Sequence, residues 1–238
     1  MFQTEFVGEA ITDLLQSDRI IEVHTPPCVV NPLTVSIQPN GKKRLILDLR
    51  HVNDYLYKQK VKYEDWKVAL SYFQTGSYMI SFDLKSGYHH IDIHSASQTF
   101  LGFCWKGPQD RLCRYFVFTV LPFGLASAPY IFTKCLKPLE KYWRIQGVKI
   151  ALFLDDGWII EHVLHECKQV AREIRSDLNK AGFITNDEKS VWQPCQSITW
   201  LGLIWNTSTV TICITEQRHA SITNTIENIF RKKFYVSA

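Results

Sequence analysis

Two adjacent aspartates interrupt an apolar stretch in the middle of this chain. Asp155 and Asp156 stand between the runs 151–154 (ALFL) and 157–160 (GWII), each typical of a short buried strand. Two strands separated by so few residues form a tight hairpin, which places the carboxylates at its tip. Burying a carboxylate is costly without a positive partner, so the pair favours a bound cation. For the pair taken alone, a solvated Asp-Gly turn is the simpler alternative.

A second strand-like segment also ends in a carboxylate. The run 78–83 (YMISFD) closes on Asp83, and the turn-forming pair Ser86-Gly87 follows it. The ends of two such strands can meet in one sheet, where their oxygens would hold two divalent ions for an in-line phosphoryl displacement. We therefore predict that Asp83 converges with Asp155 and Asp156, although 155 − 83 = 72 residues separate the first two.

The chain resembles the reverse transcriptase domain of retroelements in a series of segments that follow the family's order. These are 44–53 (RLILDLRHVN, fingers), 82–91 (FDLKSGYHHI, first catalytic motif), 121–129 (LPFGLASAP, nucleotide pocket and template contact), 153–156 (FLDD, the aspartate pair), 182–189, and 200–202 (WLG, primer grip). The resemblance covers roughly residues 5–215, and so many ordered motifs argue against chance similarity. The residues of these motifs most resemble those of tyrosine-recombinase retroelements and their relatives.

The resemblance implies RNA-directed DNA polymerase activity, the template-directed addition of deoxynucleotides to a primer 3′-hydroxyl. Asp83, Asp155 and Asp156 would be its catalytic acids. Together with the backbone carbonyl of Leu84 they would bind two Mg²⁺ ions, with Mn²⁺ as an alternative, because hard cations prefer oxygen ligands. Lys189 falls at the position of the family's proton donor to the leaving pyrophosphate, and a surface lysine is the alternative.

Three positions resemble the family's nucleotide pocket. Tyr88 stands where the family places an aromatic ring beneath the sugar, and a ring there would exclude a ribose 2′-hydroxyl. A tyrosine of the core is the alternative. Phe123 departs from the glutamine of some retroviral enzymes, yet it would still pack beside the base or sugar, while Gly124 would allow close backbone approach.

Triphosphate and primer contacts are implied at two further places. Arg44 matches a fingers arginine that contacts the triphosphate, and Lys43 and Lys42 are weaker candidates for the same role. Trp200, Leu201 and Gly202 would form the hairpin that steadies the primer, with a core tryptophan as the alternative at Trp200.

Composition agrees with a folded domain. The 238 residues are 46% hydrophobic, enough for a sizeable core, and the formal charge of +4 permits a nucleic-acid partner without requiring one. Seven cysteines without zinc-type spacing indicate reduced thiols and an intracellular location, nucleus or cytoplasm. The uncharged stretch 115–133 is broken by Pro122, Gly124 and Pro129, so we predict no membrane span.

Strand-like segments alternate with long helices and are joined by hairpins, which predicts an α+β fold with an antiparallel sheet backed by helices. The patterns predict hairpins over 33–49 and 100–119 and long helices over 127–146, 164–181 and 215–233. The resemblance implies the interleaved palm and fingers of a right-hand polymerase over 1–214. Residues 215–238 would begin a truncated thumb.

Two alternatives to this function stay open at this point. An RNA-dependent RNA polymerase of related architecture is disfavoured by Tyr88. A non-catalytic or decayed nucleic-acid-binding remnant is favoured by the truncation, whereas the three acids favour catalysis. The expected partners are an RNA or DNA template with its primer and deoxynucleoside triphosphates, without a membrane. The sequence leaves the oligomeric state open.

Overall fold

The computed structural model describes residues 2–38, 41, 43–57, 59–60 and 62–234. The chain forms two compact units, each built from two separate segments. The first unit comprises Met1–Lys62 and Ser86–Leu136, and the second comprises Tyr63–Lys85 and Lys137–Ala238. The two units therefore alternate along the chain.

The helices are α1 (Phe2–Gln16), α2 (Arg50–Asp54), α3 (Trp66–Tyr72), α4 (Ser95–Gln98), α5 (Ala128–Ile145), α6 (Leu164–Lys180) and α7 (Glu216–Phe234), with a 3₁₀ helix at Gly87–His90. The strands are β1 (Ile20–Val23), β2 (Leu33–Ile37), β3 (Lys43–Leu47), β4 (Tyr78–Asp83), β5 (Gly102–Trp105), β6 (Arg114–Phe118), β7 (Lys149–Phe153), β8 (Asp156–Glu161), β9 (Val191–Cys195), β10 (Ser197–Trp200), β11 (Leu203–Asn206) and β12 (Thr211–Ile214). The long helices predicted from the sequence are present, and α5 continues through Pro138.

The first unit contains a three-stranded antiparallel sheet, in the order β1-β6-β5, and the separate hairpin β2-β3. Both hairpins predicted in this part of the chain are therefore present. Three residues between β2 and β3, Pro39, Asn40 and Lys42, lie outside the described residues. Phe103 and Phe116 stack in the core, and α1 covers that core with Val7 and Ile11. The spacing of Val7 and Ile11 places both on one helical face.

The second unit is organised around a four-stranded antiparallel sheet in the order β7-β8-β4-β9. Helix α6 packs on it through Cys167, Ala171, Ile174 and Leu178, which recur at helical spacing and are all buried. A second sheet, β10-β11-β12, adds Trp200 and Trp205 to a core shared with Trp158. Antiparallel sheets backed by helices confirm the predicted α+β class.

A network of charged groups attaches strand β7 to helix α5 within the second unit. Arg144 donates to Glu64 Oε2 and to the carbonyl of Ile150, at 2.7 Å each. The same Glu64 oxygen accepts from the amide of Leu152 at 3.1 Å, and Arg144 also pairs with the buried Glu140. Since β7 leads directly into Asp155, this network fixes the approach to the acidic turn.

No helix in the described part of the chain is long and apolar enough to cross a membrane.

Candidate active site

The hairpin of β7 and β8 places Asp155 and Asp156 at one end of the four-stranded sheet. Phe153 pairs with Asp156, so only Leu154 and Asp155 form the turn. Leu154 has a φ of 55°, in the left-handed region that leucine rarely adopts. Two-residue hairpin turns require positive φ, and a non-glycine residue held there is typical of functional sites.

Asp83 reaches the same end of the sheet on the neighbouring strand. It is the last residue of β4 and lies directly opposite Asp156 in the β4–β8 ladder. The next amide, that of Leu84, donates to the carbonyl of Asp155 at 3.0 Å. The structure therefore brings Asp83, Asp155 and Asp156 together. Leu84 is buried and forms an isolated β-bridge with Thr185.

Burial and neighbouring charge raise the pKa of the two adjacent aspartates, Asp155 and Asp156. Burial, followed by the charges of Asp155 and Asp83, raises the pKa of Asp156 to about 7. Burial and the charge of Asp83 also raise the pKa of Asp155, and Lys189 opposes both shifts. Like charges held together are unfavourable, and a divalent cation reverses that effect. The oxygen-only set of side chains thus fits a hard divalent cation.

Asp83 has polar partners from the segment before β9. Its Oδ1 accepts from Asn186 Nδ2 at 3.1 Å, and its Oδ2 accepts from Lys189 Nζ at 3.2 Å. Its amide donates to Ser190 Oγ at 3.1 Å. Over the described residues, no three acidic, histidine or cysteine side chains are already spaced to hold an ion. Asp83 therefore accepts from Lys189 and Asn186 in this structure.

Asn186 and Ser190 were missed by the sequence reasoning, whereas Lys189 was singled out. Asn186 uses both its backbone amide and its side chain on Asp83, while Ser190 Oγ donates to the carbonyl of Asn186. The available signal was a pair of polar residues four apart, one within the segment 182–189 and one directly after it. It gives no indication that they contact a residue more than one hundred positions away.

A cavity of about 260 Å³ opens beside the acids in the second unit. Asp83, Asp156, Lys189, Trp200 and Leu201 contribute to its lining. A larger cavity of about 750 Å³ between α5 and α6 contains none of the predicted site residues. The smaller cavity is the one with the charged groups that the predicted chemistry needs.

The predicted primer-grip residues form the turn between β10 and β11. Leu201 and Gly202 have φ values of 50° and 70°, as a type I′ hairpin turn requires. The Trp200 ring is only 4% exposed and packs against Trp158 and Trp205, so it belongs to the core. Arg218 of α7 donates to the carbonyl of Leu201 at 2.7 Å and holds the turn.

The predicted nucleotide-pocket residues lie in the first unit. The ring of the half-buried Tyr88 is 5.1 Å from that of Phe123 and 5.4 Å from that of Phe132. His89 packs edge-on against Phe123, which is 47% exposed and so leaves a face available. These contacts give the first unit an aromatic surface that includes Tyr88.

Gly124 packs closely against strand β3 of the first unit, whereas its close approach to a nucleotide stays a prediction. Its φ is 100°, and a Cβ there would lie 3.0 Å from the carbonyl oxygen of Leu47. Asn53 holds the same loop by donating to the carbonyl of Gly124 at 2.9 Å and accepting from the amide of Ala126 at 2.7 Å. The sequence reasoning gave Asn53 no role.

Arg44 and Lys43 lie on β3 of the first unit. The Arg44 side chain is exposed, and the ammonium of Lys43 lies 5.6 Å from the centre of the Phe6 ring. Lys42 lies outside the described residues. With the Gln38 amide turned to present its oxygen, that oxygen accepts from Arg44 Nε and Nη2 at 3.2 Å each, so both cations already have a contact within the first unit.

Comparisons with known proteins match this architecture. The family described as Reverse transcriptase (RNA-dependent DNA polymerase) matches residues 36–205. The Pro-Pol polyprotein of Simian foamy virus type 1 is 27% identical over 180 residues, which cover 76% of this chain and 15% of that protein. The Retrovirus-related Pol polyprotein from transposon gypsy of Drosophila melanogaster is 28% identical over 173 residues, covering 68% and 16%.

Solved structures show the same fold. A foamy viral protease-reverse transcriptase in complex with double-stranded DNA superimposes with a TM-score of 0.78 at 24% identity, covering 92% of this chain and 36% of that one. A second, in complex with an RNA/DNA hybrid, gives 0.74 at 21% identity, covering 94% and 28%. The predicted palm and fingers fold is thereby confirmed. The chain spans only 15% and 16% of the length of these two curated relatives. Affinity with tyrosine-recombinase retroelements stays a prediction.

Proposed function

Because this chain belongs to the reverse transcriptase (RNA-dependent DNA polymerase) family, we propose that it performs the polymerase step of a retroelement. In that step the primer 3′-hydroxyl attacks the α-phosphate of a deoxynucleoside triphosphate, the new phosphodiester bond forms, and pyrophosphate leaves. One observation carries the proposal: Asp83, Asp155 and Asp156 share one end of a sheet, where crowding raises the pKa of Asp156 to about 7. Such a site stabilises a cationic partner.

Reverse transcriptases generally use divalent metals, and we propose Mg²⁺ for this chain, with Mn²⁺ as an alternative. Asp83, Asp155 and Asp156, together with the backbone carbonyl of Leu84, would hold the ions. When bound, the ions would neutralise the triphosphate and make the primer hydroxyl more acidic. Lys189, which holds Asp83 at 3.2 Å, would then be free to donate a proton to the leaving pyrophosphate.

Selection of the nucleotide would come from the first unit. Tyr88, supported by Phe123 and Phe132, would exclude a ribose 2′-hydroxyl, while Gly124 would leave room for the nucleotide. Arg44 would pair with the triphosphate, with Lys43 as a weaker contact. A primer–template of RNA or DNA would be the partner, and the turn at Leu201 and Gly202 would steady its primer strand.

A primer-extension assay tests this proposal. The chain is given Mg²⁺ and a labelled primer on an RNA or a DNA template, with either deoxynucleotides or ribonucleotides. We expect extension with deoxynucleotides, loss of at least 100-fold in Asp83→Asn, and no change in Asp13→Asn, which removes an exposed carboxylate from α1. Equal activity of Asp83→Asn and wild type would refute the role of the acids. No extension by any form would favour a non-catalytic remnant.

A further inference from the structure

A basic groove lies between helix α6 and strand β9 of the second unit, and we call it the α6–β9 groove. It has a volume of about 420 Å³, and its lining includes Lys168, Arg172, Arg175, Trp192, Gln193 and Pro194. None of the residues predicted for the polymerase site takes part in it. Its charged side chains are all cationic.

The cations of the groove lie on one face of α6. Lys168, Arg172 and Arg175 are spaced by four and three residues, which brings their side chains together on a helix. Among the described residues, Lys168 and Arg172 have no carboxylate partner, whereas Arg175 pairs with the exposed Asp187 at 2.8 Å. Like charges four apart destabilise a helix, so an anionic ligand would relieve a cost built into this face.

The burial of α6 keeps these cations directed outward. The adjacent face of the helix is fixed to the sheet by Cys167, Ala171, Ile174 and Leu178, and Ala171 also contributes to the groove lining. A solvated cationic face is the ordinary arrangement for an exposed helix. The α6–β9 groove differs because the cations border a concave surface that Trp192, Gln193 and Pro194 complete.

Trp192 defines what kind of anion the groove can accept. Its ring stacks on Phe82 at 5.9 Å, and the Arg175 guanidinium carbon lies 5.6 Å from the ring centre. With its ring engaged in this way, Trp192 is a poor stacking platform for a nucleobase. Its Nε1 is buried without an acceptor over the described residues. The donors that the groove presents are therefore those of the exposed Lys168 and Arg172 side chains, whose positive charge suits phosphate oxygens.

We propose that the α6–β9 groove binds the sugar–phosphate backbone of a nucleic-acid strand, independently of base sequence. The choice of nucleic acid over another polyanion rests on the proposed function. β9 is the strand next to β4. Trp192 of the groove stacks on Phe82 of β4, which is the residue that precedes Asp83. The groove therefore gives the second unit a phosphate contact in addition to the polymerase site.

Salt-dependent binding tests this site on the whole chain. Anisotropy of a labelled single-stranded oligonucleotide is measured from 0.05 to 0.2 M KCl for wild type and for the double variant Lys168→Gln/Arg172→Gln. The slope of log K against log salt is negative, and each lost phosphate contact reduces its magnitude by about 0.7 on a single strand. Loss of two contacts should therefore reduce the magnitude by about 1.4. At 0.1 M salt the double variant should bind roughly 25-fold more weakly.

Two controls separate this effect from folding and from total charge. Lys134→Gln/Lys141→Gln removes two exposed lysines from α5 and should keep the wild-type slope. Lys168→Arg/Arg172→Lys conserves both charges and should also keep it. Equal slopes for the groove variant and the α5 variant would overturn the proposal, once circular dichroism shows that both are folded.

Two further readouts identify the ligand and isolate the claim. Weaker binding of a polyglutamate peptide with unchanged oligonucleotide binding would assign the groove to an acidic protein and overturn the proposal. The two proposals can fail separately. If wild type extends no primer but the groove variant still shows a less steep salt dependence than wild type, the groove is supported and the proposed polymerase function fails. Oligonucleotides of equal length but different base sequence should give the same salt slope.

Discussion

Replacing Asp156 with Asn should make the metal-free protein more stable at alkaline pH. Burial and the neighbouring carboxylates raise the pKa of Asp156 to about 7, while an unfolded chain would ionise it near its ordinary value of 3.8. Above pH 7 the folded protein therefore carries a charge in an unfavourable place. Asparagine retains the size of the side chain and removes that charge.

The magnitude follows from the difference in pKa. A rise of about three units corresponds to roughly 4 kcal/mol at about 1.4 kcal/mol per unit. Because Asp156 is partly exposed and solvent screens its charge, we halve this figure to about 2 kcal/mol. Between pH 4 and 7 the folded state binds the extra proton, so this contribution makes the free energy of unfolding fall as pH rises. Below pH 4 both states are protonated and the penalty is absent.

Urea unfolding in EDTA at pH 5 and pH 8 measures this effect. At pH 5 part of the penalty is already present, because the unfolded chain ionises near pH 3.8. Wild type should therefore lose about 1.3 kcal/mol more than Asp156→Asn between the two pH values, since other titrating groups cancel in the comparison. Adding Mg²⁺ at pH 8 should then stabilise wild type more than the variant, because a ligand that binds only the folded state stabilises it. Parallel pH dependences in EDTA would refute the account of the acidic site.

Three other substitutions test separate parts of the structure. Tyr88→Ala should raise the ribonucleotide kcat/KM relative to that for deoxynucleotides, measured by single-nucleotide incorporation, and unchanged discrimination would return Tyr88 to a core role. Asn53→Ala should leave the carbonyl of Gly124 and the amide of Ala126 without their partner, costing about 1–3 kcal/mol by urea unfolding and raising the KM for nucleotide. Glu64→Gln should destabilise the protein by about 2 kcal/mol, because Arg144 loses one of its two carboxylate partners and keeps only Glu140; a variant as stable as wild type would show the Glu64 contacts to be dispensable.

Local patterns predicted the elements that carry the acids. The strands around Asp155 and Asp156 have apolar residues at successive positions, and a two-residue connection leaves little choice of geometry. The end of β4 at Asp83 was likewise visible in its own segment. Convergence of these acids followed from combining two local predictions with the need for two metal ions. The resemblance to a family then assigned the roles that geometry alone does not test.

Contacts between distant segments were beyond the sequence. Asn53 and Gly124 are 71 residues apart, and Asn186 and Asp83 are 103 apart, so neither pair has a local periodic signal. The burial of Trp200 depends on Trp158 and Trp205, which reach it from two other strands. Pro138 is a signal that usually interrupts a helix, yet α5 continues through it. Tertiary packing decided each of these cases.

Single-nucleotide incorporation by wild type and Asp155→Asn, titrated with Mg²⁺, tests the central claim most directly. One labelled primer on an RNA template receives one deoxynucleotide, and the incorporation rate is measured by rapid quenching. We predict a metal-dependent rate for wild type and a loss of at least 100-fold for Asp155→Asn at every Mg²⁺ concentration. Incorporation by Asp155→Asn at the wild-type rate, with the same Mg²⁺ dependence, would contradict a catalytic role for this acidic site.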